Sequence, residues 1–268
     1  MRNYVCIGYG KKIEFDKIGA PFNIIKKISV VIPTYNEEEN VNRIVNAVKY
    51  NLNKTQFKDS YEIIVVDDNS KDKTPEIIDK LAKKNKVIAL HRYGKRGLFS
   101  AVNDGISVAN GKYVLTMDAD FSHPPEIIPQ IVKNAEKYDA VVASRYIRGG
   151  GVKGVNLFRR TGSVVLNLLC VLIAGLPVSD CGGQFRLFNK DKYSKIKYKY
   201  GSYFAESGIE LFFRAKQLKF RIKEIPFVYE FRERGSSKMG NLKKLPVLGI
   251  RYLRTALKLR MEKLRGEV

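Results

Sequence analysis

The sequence predicts an α/β protein built on a mostly parallel β-sheet covered by helices on both faces. Apolar, β-branched runs such as Ile28–Ile32 are typical of strands buried on both faces. Strand runs and segments with one apolar helical face alternate five times within about 120 residues, the order of elements in βαβ proteins. Polar residues follow several of these strands, at the ends where such sheets bind ligands.

The predicted elements follow one another in a regular order. Strands are expected over 28–32, 61–66, 86–90, 113–117 and 140–144, with helices over about 38–51, 74–84, 101–109 and 125–138. After a glycine-rich link at 149–151, the pattern predicts a helix over 203–218, a strand over 220–229 and a basic amphipathic helix over 243–265. We therefore divide the chain into an N-terminal extension without a clear element (1–27), an α/β domain (28–240) and a basic C-terminal helix (241–268).

The charge balance narrows the class of partner. The chain has 49 Lys and Arg against 27 Asp and Glu, a net charge of +22, which favours polyanions such as nucleic acid, anionic lipid or phosphorylated substrates. A generally lysine-rich proteome is the alternative explanation. No RNP, KH, helix-turn-helix or zinc-finger pattern is present, so we expect no nucleic-acid partner. Three widely spaced cysteines and two histidines predict a reducing compartment and argue against a zinc site or histidine-based catalysis.

Two segments are candidates for contact with a membrane. The apolar run 164–176 is shorter than the ~20 residues that a bilayer span requires, so we favour a packed core helix over one that dips into lipid. The basic C-terminal helix suits an anionic membrane surface, packing on the domain, or nucleic acid. Its expected apolar face is Leu245, Leu248, Tyr252, Leu253, Ala256 and Leu259. The sequence shows no secretory signal, and we expect a soluble or peripheral protein.

Asp118-Ala119-Asp120 is the strongest candidate for chemistry. Two carboxylates separated by one residue, directly after an apolar strand, can share one hard divalent ion with substrate phosphates. A bound Mg²⁺ or Mn²⁺ would neutralise a diphosphate leaving group. A lone Asp-x-Asp is also common in solvated turns, and its place at the strand ends favours the functional interpretation.

Two other strand ends carry side chains suited to a nucleotide. Asp68 is placed to accept hydrogen bonds from a ribose or a base, or to cap the following helix. Tyr35 and Glu37 are candidates to line and hydrogen-bond the base, or belong to a simple strand-to-helix turn. The loop Gly94–Gly97 lacks the Walker spacing, which argues against an ATPase or kinase.

A scattered set of cations is suited to phosphate, because the guanidinium fork of arginine binds two oxygens. Its members are Arg145, Arg159, Arg160, Arg232, Arg234 and Lys238, and Ser163 and Ser237 are hydroxyl donors near them in sequence. For each one, an ordinary surface position is an equal alternative.

Four motifs in fixed order carry a family resemblance. Residues 28–39 (ISVVIPTYNEEE), 62–74 (EIIVVDDNSKDKT), the loop and helix of 97–105, and 117–126 (MDADFSHPPE) resemble family 2 glycosyltransferases, which have the Rossmann-like GT-A fold. Residues 143–146, Arg159 with Ser163, 179–187 and 232–238 resemble the dolichyl-phosphate mannosyltransferases within that family. The resemblance covers roughly 28–240.

The resemblance implies an inverting transfer of mannose from GDP-mannose to dolichyl (polyprenyl) phosphate, with Mg²⁺ or Mn²⁺ as cofactor. The implied nucleotide-sugar contacts are Pro33, Tyr35, Glu37, Val66, Asp68, Asp118, Ala119, Asp120, Arg232 and Lys238. Arg145, Arg159 and Ser163 would bind the acceptor phosphate, and Asp118, Asp120 and Arg145 are the implied catalytic residues. An acceptor that is already anionic needs no strong general base.

Two departures from the family pattern affect these expectations. Some members have a Gln metal ligand where this chain has Ser122, which implies a weaker or water-mediated third contact to the metal. Many members carry C-terminal transmembrane helices, and we recognise none in this sequence. Membrane access is then expected through 164–176, the basic tail or a membrane-protein partner, with the protein peripheral on the cytoplasmic face.

Two alternative functions stay open. The shared motifs also fit a polyprenyl-phosphate glucosyltransferase or another family 2 enzyme that uses a UDP-sugar. A different class is a non-catalytic basic protein that binds a membrane or nucleic acid. In such a protein the carboxylates of Asp68, Asp118 and Asp120 would serve no purpose and would repel phosphate.

Overall fold

The computed structural model describes residues 4–8, 11–13, 27–83, 86–93, 97–200, 206–230 and 245–267. The strands in these ranges are β1 (Tyr4–Gly8), β2 (Lys11–Ile13), β3 (Ile28–Thr34), β4 (Tyr61–Asp67), β5 (Val87–Arg92), β6 (Tyr113–Thr116), β7 (Ala140–Ser144), β8 (Gly151–Lys153), β9 (Arg186–Asn189), β10 (Ile222–Pro226) and β11 (Val228–Glu230). The helices are α1 (Val41–Leu52), α2 (Thr74–Ala82), α3 (Leu98–Val108), α4 (Ile128–Lys133), α5 (Leu157–Ala174), α6 (Lys190–Tyr193), α7 (Ser207–Gln217) and α8 (Leu245–Leu264).

The central sheet has the strand order β10-β7-β9-β6-β3-β4-β5-β1-β2. Strands β6, β3, β4 and β5 run parallel, and β10 runs parallel to β7. Strand β9 lies between β6 and β7 and is antiparallel to both. Strands β1 and β2 extend the other edge, with β1 antiparallel to β5. The N-terminal segment, for which the sequence indicated no clear element, therefore contributes two strands.

Helices cover both faces of the sheet, as predicted. Val30 and Ile32 of β3 face a buried cluster that includes residues of α1, α2 and α4, whereas Val31 faces α3. Helix α3 can lie this close because residue 105 is glycine: a Cβ there would be 2.4 Å from Cγ1 of Val31. A separate cluster joins β7 and β9 to α5, α7 and α8. This arrangement and the mostly parallel sheet confirm the predicted α/β class.

Several predicted elements differ in detail. The helix expected over 125–138 is a 3₁₀ turn at Pro125–Ile127 followed by α4, which ends at Lys133. The strand expected over 220–229 is two strands separated at Phe227: β10 joins the central sheet, and β11 pairs with β8. The helix expected over 203–218 begins at Ser207 within the described residues, and 201–205 lie outside them.

Helix α5 corrects the expectation of a core helix over 164–176. It begins at Leu157, and only Cys170 and Ala174 of its 18 residues are buried. By length and composition it is the one helix among the described residues that is apolar enough to cross a membrane. Its length of roughly 27 Å is slightly below the ~30 Å of a bilayer core, and it packs against α7 and α8. The length of this helix was underestimated from the sequence because Arg159 and Arg160 interrupt its apolar pattern.

Helix α8 confirms the expected C-terminal helix and shows which face it buries. Ala256 and Leu259 have no exposed surface, and Tyr252 and Leu253 are partly buried in the cluster with α5 and α7. Most of the expected apolar face therefore packs on the domain. A second set of apolar residues, which the sequence analysis did not single out, faces outward.

Candidate active site at the strand ends

The predicted polar residues meet along one edge of the sheet. Parallel strands β3, β4 and β6 end side by side, because Thr34 pairs with Asp67 and Val31 pairs with Thr116. The chain segments that follow them carry the candidate groups at 35–37, 68 and 118–120. We call this edge the rim.

Pro33, Val66 and Ala119 form the apolar base of the rim. Pro33 and Val66 are paired in the register of β3 and β4. All three are buried, and the carbonyl of Val66 accepts a hydrogen bond of 3.2 Å from Thr34 Oγ1. They shape the rim through backbone and packing, and the nucleotide contacts that the resemblance implies for them stay predictions.

The turn after β3 is fastened to the turn after β4. Asn36 has a φ of 53°, its N–H donates to Ser70 Oγ at 2.9 Å, and its Oδ1 accepts from the N–H of Lys71 at 2.8 Å. The N–H of Glu37 donates to Thr74 Oγ1 at 2.8 Å, and Glu37 Oε2 accepts from Asn40 Nδ2 at 2.9 Å. Glu37 is 6% exposed, so its observed contacts shape this turn.

Asp68 is held on both carboxylate oxygens. Arg92 Nη1 donates to Oδ1 at 2.5 Å, and the N–H of Gly97 donates to Oδ2 at 2.8 Å. Gly97 has a φ of 152°, a backbone conformation that favours glycine. The carboxylate is thus oriented before any ligand arrives, with 11% of its side chain exposed.

Arg92 is the residue that sequence reasoning missed on this side of the rim. Its Nε donates to Asp104 at 2.8 Å and its Nη2 to Ser100 Oγ at 2.7 Å, so it connects the end of β5, the Asp68 turn and α3. Its side chain is 5% exposed. The sequence pattern that could have indicated this role is an arginine at the end of an apolar strand, followed by a glycine loop.

The Asp118–Asp120 turn is shaped by its own neighbours. Ser122 donates to Asp120 Oδ1 from its Oγ at 2.5 Å and from its N–H at 3.2 Å. Ser122 is fully buried and Asp120 is 6% exposed, whereas the side chain of Asp118 is 30% exposed. The hydroxyl of Ser122 therefore acts on Asp120, and its expected contact to a metal stays a prediction.

His123 supports the same turn from below. Its Nδ1 accepts a hydrogen bond of 2.9 Å from the N–H of Asp118, and its ring stacks on Phe185 with 5.0 Å between centroids. It is 2% exposed, and burial lowers the pKa of its imidazole. The sequence indicated no role for this histidine, although it lies three residues after Asp120.

The rim offers oxygen donors of the kind that Mg²⁺ and Mn²⁺ prefer. Within the described ranges, no group of three or more His, Cys, Asp or Glu side chains is arranged to hold a metal ion. The two carboxylates at 118 and 120 fit a site in which diphosphate and water supply the remaining ligands, a common arrangement for Mg²⁺. The donor set therefore fits a divalent ion shared with substrate.

Arg145 follows β7 and is paired with a buried acid. Its Nε and Nη2 bind the two oxygens of Asp180 at 2.7 and 2.8 Å, and the N–H groups of Gly182 and Gly183 also reach Asp180 Oδ1. Burial opposes the charge on each partner, but their hydrogen bonds outweigh it: the pKa of Arg145 is raised and that of Asp180 is lowered. Arg145 keeps 17% of its side chain exposed, and Asp180 keeps none.

A short chain of contacts leads from Arg145 to α5. The guanidinium of Arg145 lies 5.0 Å from the ring centroid of Tyr146, whose hydroxyl is 3.1 Å from Ser163 Oγ on α5. Arg159 lies four residues before Ser163 and therefore on the same helical face. The structure thus links Arg145 to the helix that carries Ser163 and Arg159. Arg232 and Lys238 lie outside the described residues.

Helix α5 also holds the loop that contains Asp180. Asn167 Nδ2 donates to the carbonyl of Ser179 at 2.6 Å, and its Oδ1 accepts from the N–H of Cys181 at 3.0 Å. These bonds bracket Asp180 on both sides. The one amide in the middle of the apolar helix therefore connects it to the Arg145 pair.

Solved structures with the same fold support the architecture. Glucosyl-3-phosphoglycerate synthase from Mycobacterium tuberculosis, in complex with Mn²⁺, UDP and phosphoglyceric acid, superposes with a TM-score of 0.64. It is 19% identical, with 88% of this chain and 78% of that chain covered. A complex of the same enzyme with Mn²⁺, UDP and glucosyl-3-phosphoglycerate gives a TM-score of 0.62. At this identity the similarity shows the GT-A fold alone.

Relatives of known name are more similar in sequence. Dolichol-phosphate mannosyltransferase from Pyrococcus furiosus is 32% identical over 217 residues, covering 80% of this chain and 59% of that protein. Undecaprenyl-phosphate 4-deoxy-4-formamido-L-arabinose transferase from Photorhabdus laumondii is 38% identical over 176 residues, covering 63% and 51%. The chain thus spans between half and three fifths of the length of these relatives.

The model of the family described as "Glycosyl transferase family 2" matches residues 29–197, which is more than half of the chain. This range includes the rim, the Arg145–Asp180 pair and α5. The match agrees with the resemblance carried by the sequence motifs. The chain belongs to glycosyl transferase family 2.

Proposed function

We propose that this protein transfers mannose from GDP-mannose to the phosphate of dolichyl or another polyprenyl phosphate, with inversion at the anomeric carbon and release of GDP. Two relatives with different sugars in their names both carry a polyprenyl phosphate in the name. The carboxylate rim suits a nucleotide sugar, and the exposed apolar helix beside Arg145 suits a lipid. The choice of GDP-mannose as the donor depends on the motifs in the second half of the chain that resemble dolichyl-phosphate mannosyltransferases. It also depends on the relative from Pyrococcus furiosus.

The connection between Arg145, at the end of β7, and α5 is the observation that carries the proposal. Arg145, Tyr146 and Ser163 form a continuous path from the end of β7 to α5, whose Leu157 and Phe158 are 76% and 88% exposed. A lipid phosphate held at Arg145, Arg159 and Ser163 would keep its chain beside these apolar side chains. A water-soluble acceptor would not require such a surface.

The proposed reaction needs no strong base. An oxygen of the acceptor phosphate attacks the anomeric carbon, the bond from that carbon to the β-phosphate oxygen breaks, and its electron pair leaves with GDP. The attacking oxygen is already ionised, so no proton has to be removed from it. Orientation then contributes much of the rate acceleration, because reacting atoms held in line react as if at very high concentration.

Asp118 and Asp120 are proposed to hold the divalent ion together with the donor diphosphate, with Ser122 positioning Asp120. When bound, Mg²⁺ or Mn²⁺ would neutralise charge on the leaving diphosphate. Asp68 and the 35–37 turn are proposed to receive the nucleoside, and Arg232 and Lys238 to contact the diphosphate. Pro33, Val66 and Ala119 would line the pocket floor.

The acceptor in this proposal is a membrane lipid, so the protein works at a membrane surface. Leu168 and Leu172 on α5 are 52% and 66% exposed, which supports contact with apolar lipid. The basic residues near α5 and on α8 suit an anionic leaflet. We place the protein on the cytoplasmic face, where it either binds the bilayer directly or pairs with a membrane protein.

The test is sugar transfer into organic-extractable lipid. Protein in detergent is incubated with a polyprenyl phosphate, Mg²⁺ or Mn²⁺, and radiolabelled GDP-mannose or UDP-glucose, with Asp120→Asn as the inactive control. We expect labelled lipid only when the wild-type protein is incubated with GDP-mannose. A preference for UDP-glucose would show that GDP-mannose is not the donor and would favour the glucosyltransferase alternative. Labelled lipid with neither donor would favour the non-catalytic membrane-binding alternative.

A further inference from the structure

The outward face of α8 carries an apolar stripe that the proposed reaction does not use. Ile250, Leu257, Met261 and Leu264 recur at helical spacing and are 64%, 53%, 47% and 65% exposed. The inward face of the same helix is already satisfied by packing on α5 and α7. A helix in water with apolar residues on both faces needs an explanation for the outer one.

This stripe forms one wall of a groove with a volume of about 670 Å³. Ile250, Leu257 and Met261 contribute apolar surface, and Tyr200 lines the groove beside Lys258, whose Nζ lies 5.3 Å from its ring centroid. The groove is large enough for the upper part of an acyl chain and is open to solvent along the helix.

Cations line one border of the groove. Arg254, Lys258 and Arg265 are exposed and lie at positions four and seven residues apart, which places them on one side of the apolar stripe. Both acids in the lining are paired. Glu262 binds Arg214 Nη2 at 3.0 Å, and Glu267 lies 3.1 Å from Lys199 Nζ and 3.8 Å from Arg265 Nη1. Because Arg265 shares Glu267 with Lys199, the positive charge of the border lies chiefly at Arg254 and Lys258.

We propose that this groove binds an anionic phospholipid of the bilayer, with an acyl chain against Ile250, Leu257 and Met261 and the phosphate at Arg254, Lys258 and Arg265. A stripe of apolar residues bordered by Lys and Arg is the pattern of helices that lie in an anionic membrane interface. The long basic side chains extend their charges to the headgroups while their stems stay on apolar surface.

Two other observations favour lipid as the occupant. Helix α8 packs directly against α5, which carries the exposed apolar side chains already described. A second copy of this chain would bring the same three cations toward one another, within a protein of net charge +22, which opposes self-association. A free phosphate would leave the apolar half of the groove without a partner.

This site goes beyond the proposed transfer reaction and depends on none of its catalytic assignments. It gives the protein a preference for anionic leaflets. Vesicle binding measures it without any sugar nucleotide, so its failure and the failure of the proposed function are distinguishable.

The experiment compares two charge-reversal variants of the full chain. Arg254→Glu with Lys258→Glu alters the groove border, and Arg260→Glu with Lys263→Glu makes the same charge change at exposed positions of α8 outside the groove lining. Binding is measured with vesicles of phosphatidylcholine alone and with 30% phosphatidylglycerol, about the anionic content of a charged leaflet. We expect wild-type protein to prefer the anionic vesicles, the groove variant to bind them at least ~30-fold more weakly, and the control to change less than ~3-fold.

Several results would overturn the proposal. Equal losses of vesicle binding in the two variants would show that the whole basic surface of α8 attracts the membrane. Unchanged binding in the groove variant would show that the groove does not contact the membrane. A dimer in sedimentation velocity that the groove variant abolishes would make a second copy the occupant. If the groove variant does not fold, Arg254→Gln with Lys258→Gln tests the same border, with an expected loss of about 5-fold. Leu257→Ser should also weaken binding, and an unchanged result there would contradict an acyl-chain contact.

Discussion

The proposed nucleotide side of the candidate site, along the rim, and its proposed lipid side, at Arg145 and α5, are constructed differently. On the nucleotide side, side chains project from the ends of parallel strands and are oriented by neighbouring turns, as Asp68 is by Arg92 and Gly97. On the lipid side, Arg145 is paired with a fully buried acid, and Tyr146 and Asn167 connect this pair to the exposed helix α5. The first side depends on the sheet. The second depends on how α5 and α8 pack.

The difference matches two separate demands of the proposed reaction. A sugar nucleotide arrives from water, so its site can be a rigid polar edge assembled from local turns. A lipid phosphate arrives at a membrane surface, so its site has to lie beside apolar side chains that remain exposed. Substitutions on the two sides should therefore affect different substrates and different properties.

The largest effect is expected from Asp120→Asn on the nucleotide side. Asparagine keeps the shape and one acceptor oxygen for Ser122, but removes the charge that a divalent ion requires. We expect sugar transfer to fall on the order of 10³-fold with an unchanged melting temperature. Lipid-extraction assays measure the rate of sugar transfer, and circular dichroism measures the melting temperature.

Asp72→Asn is the matched control for that variant. Asp72 lies on the same edge and accepts hydrogen bonds from the N–H groups of Glu38 and Thr74, with no role proposed in the reaction. Its activity should stay within ~3-fold of wild type. If Asp120→Asn retained a tenth of the wild-type rate, the assignment of the metal to this turn would be wrong.

The sequence predicted the strand ends better than the contacts between distant segments, for a physical reason. A β-branched run followed by acids is a local pattern, so the strand ends before Asp68 and Asp118 could be placed from the sequence alone. The Arg92–Asp68 contact joins residues 24 positions apart, and β9 enters the sheet antiparallel, neither of which a local pattern reveals. An apolar helix has the same periodicity whether it faces a core or a membrane. Only packing shows that Leu259 is buried while Leu257 is exposed.

The two arginine–aspartate pairs should differ in what their loss costs. Arg145→Met leaves the carboxylate of Asp180 buried with backbone donors only, so we expect the free energy of unfolding to fall by about 3–5 kcal/mol. Arg92→Met leaves Asp68 and Asp104 with 11% and 30% of their side chains exposed, and we expect a smaller loss of about 2 kcal/mol. Urea denaturation of the two variants provides the comparison.

A second substitution identifies the cause of the larger loss. Adding Asp180→Leu to Arg145→Met removes the unpaired charge and should recover at least half of the lost stability, without restoring transfer. An equal loss in the two single variants would contradict the proposed difference in burial. Failure of the double variant to recover would mean that packing, not charge, accounts for the effect.

Arg159→Ala tests whether the lipid side has its own phosphate contact. Removing one charge-assisted contact should raise the KM for polyprenyl phosphate about 10-fold, while the KM for the sugar nucleotide changes less than 2-fold. Arg160→Ala is the control, because it removes the same charge from the next, exposed position of α5. Steady-state kinetics with each substrate varied separates the two constants. Equal changes in both KM values would argue against a separate acceptor site.

The smallest effect concerns the other end of β7, where Asp139 precedes the strand that Arg145 follows. Burial alone would raise the pKa of Asp139, but hydrogen bonds from Arg221 and Lys192 lower it to about 2. A depressed carboxyl pKa stabilises the fold above the unfolded value of about 3.9, and this contribution is lost as the pH falls through 2. Because the side chains of Arg221 and Lys192 are 64% and 40% exposed, solvent screening limits the contribution to about 1 kcal/mol. We expect Asp139→Asn to be less stable than wild type by that amount at pH 6 and equally stable near pH 2. A constant difference across this range would show that the ion pair is not its source.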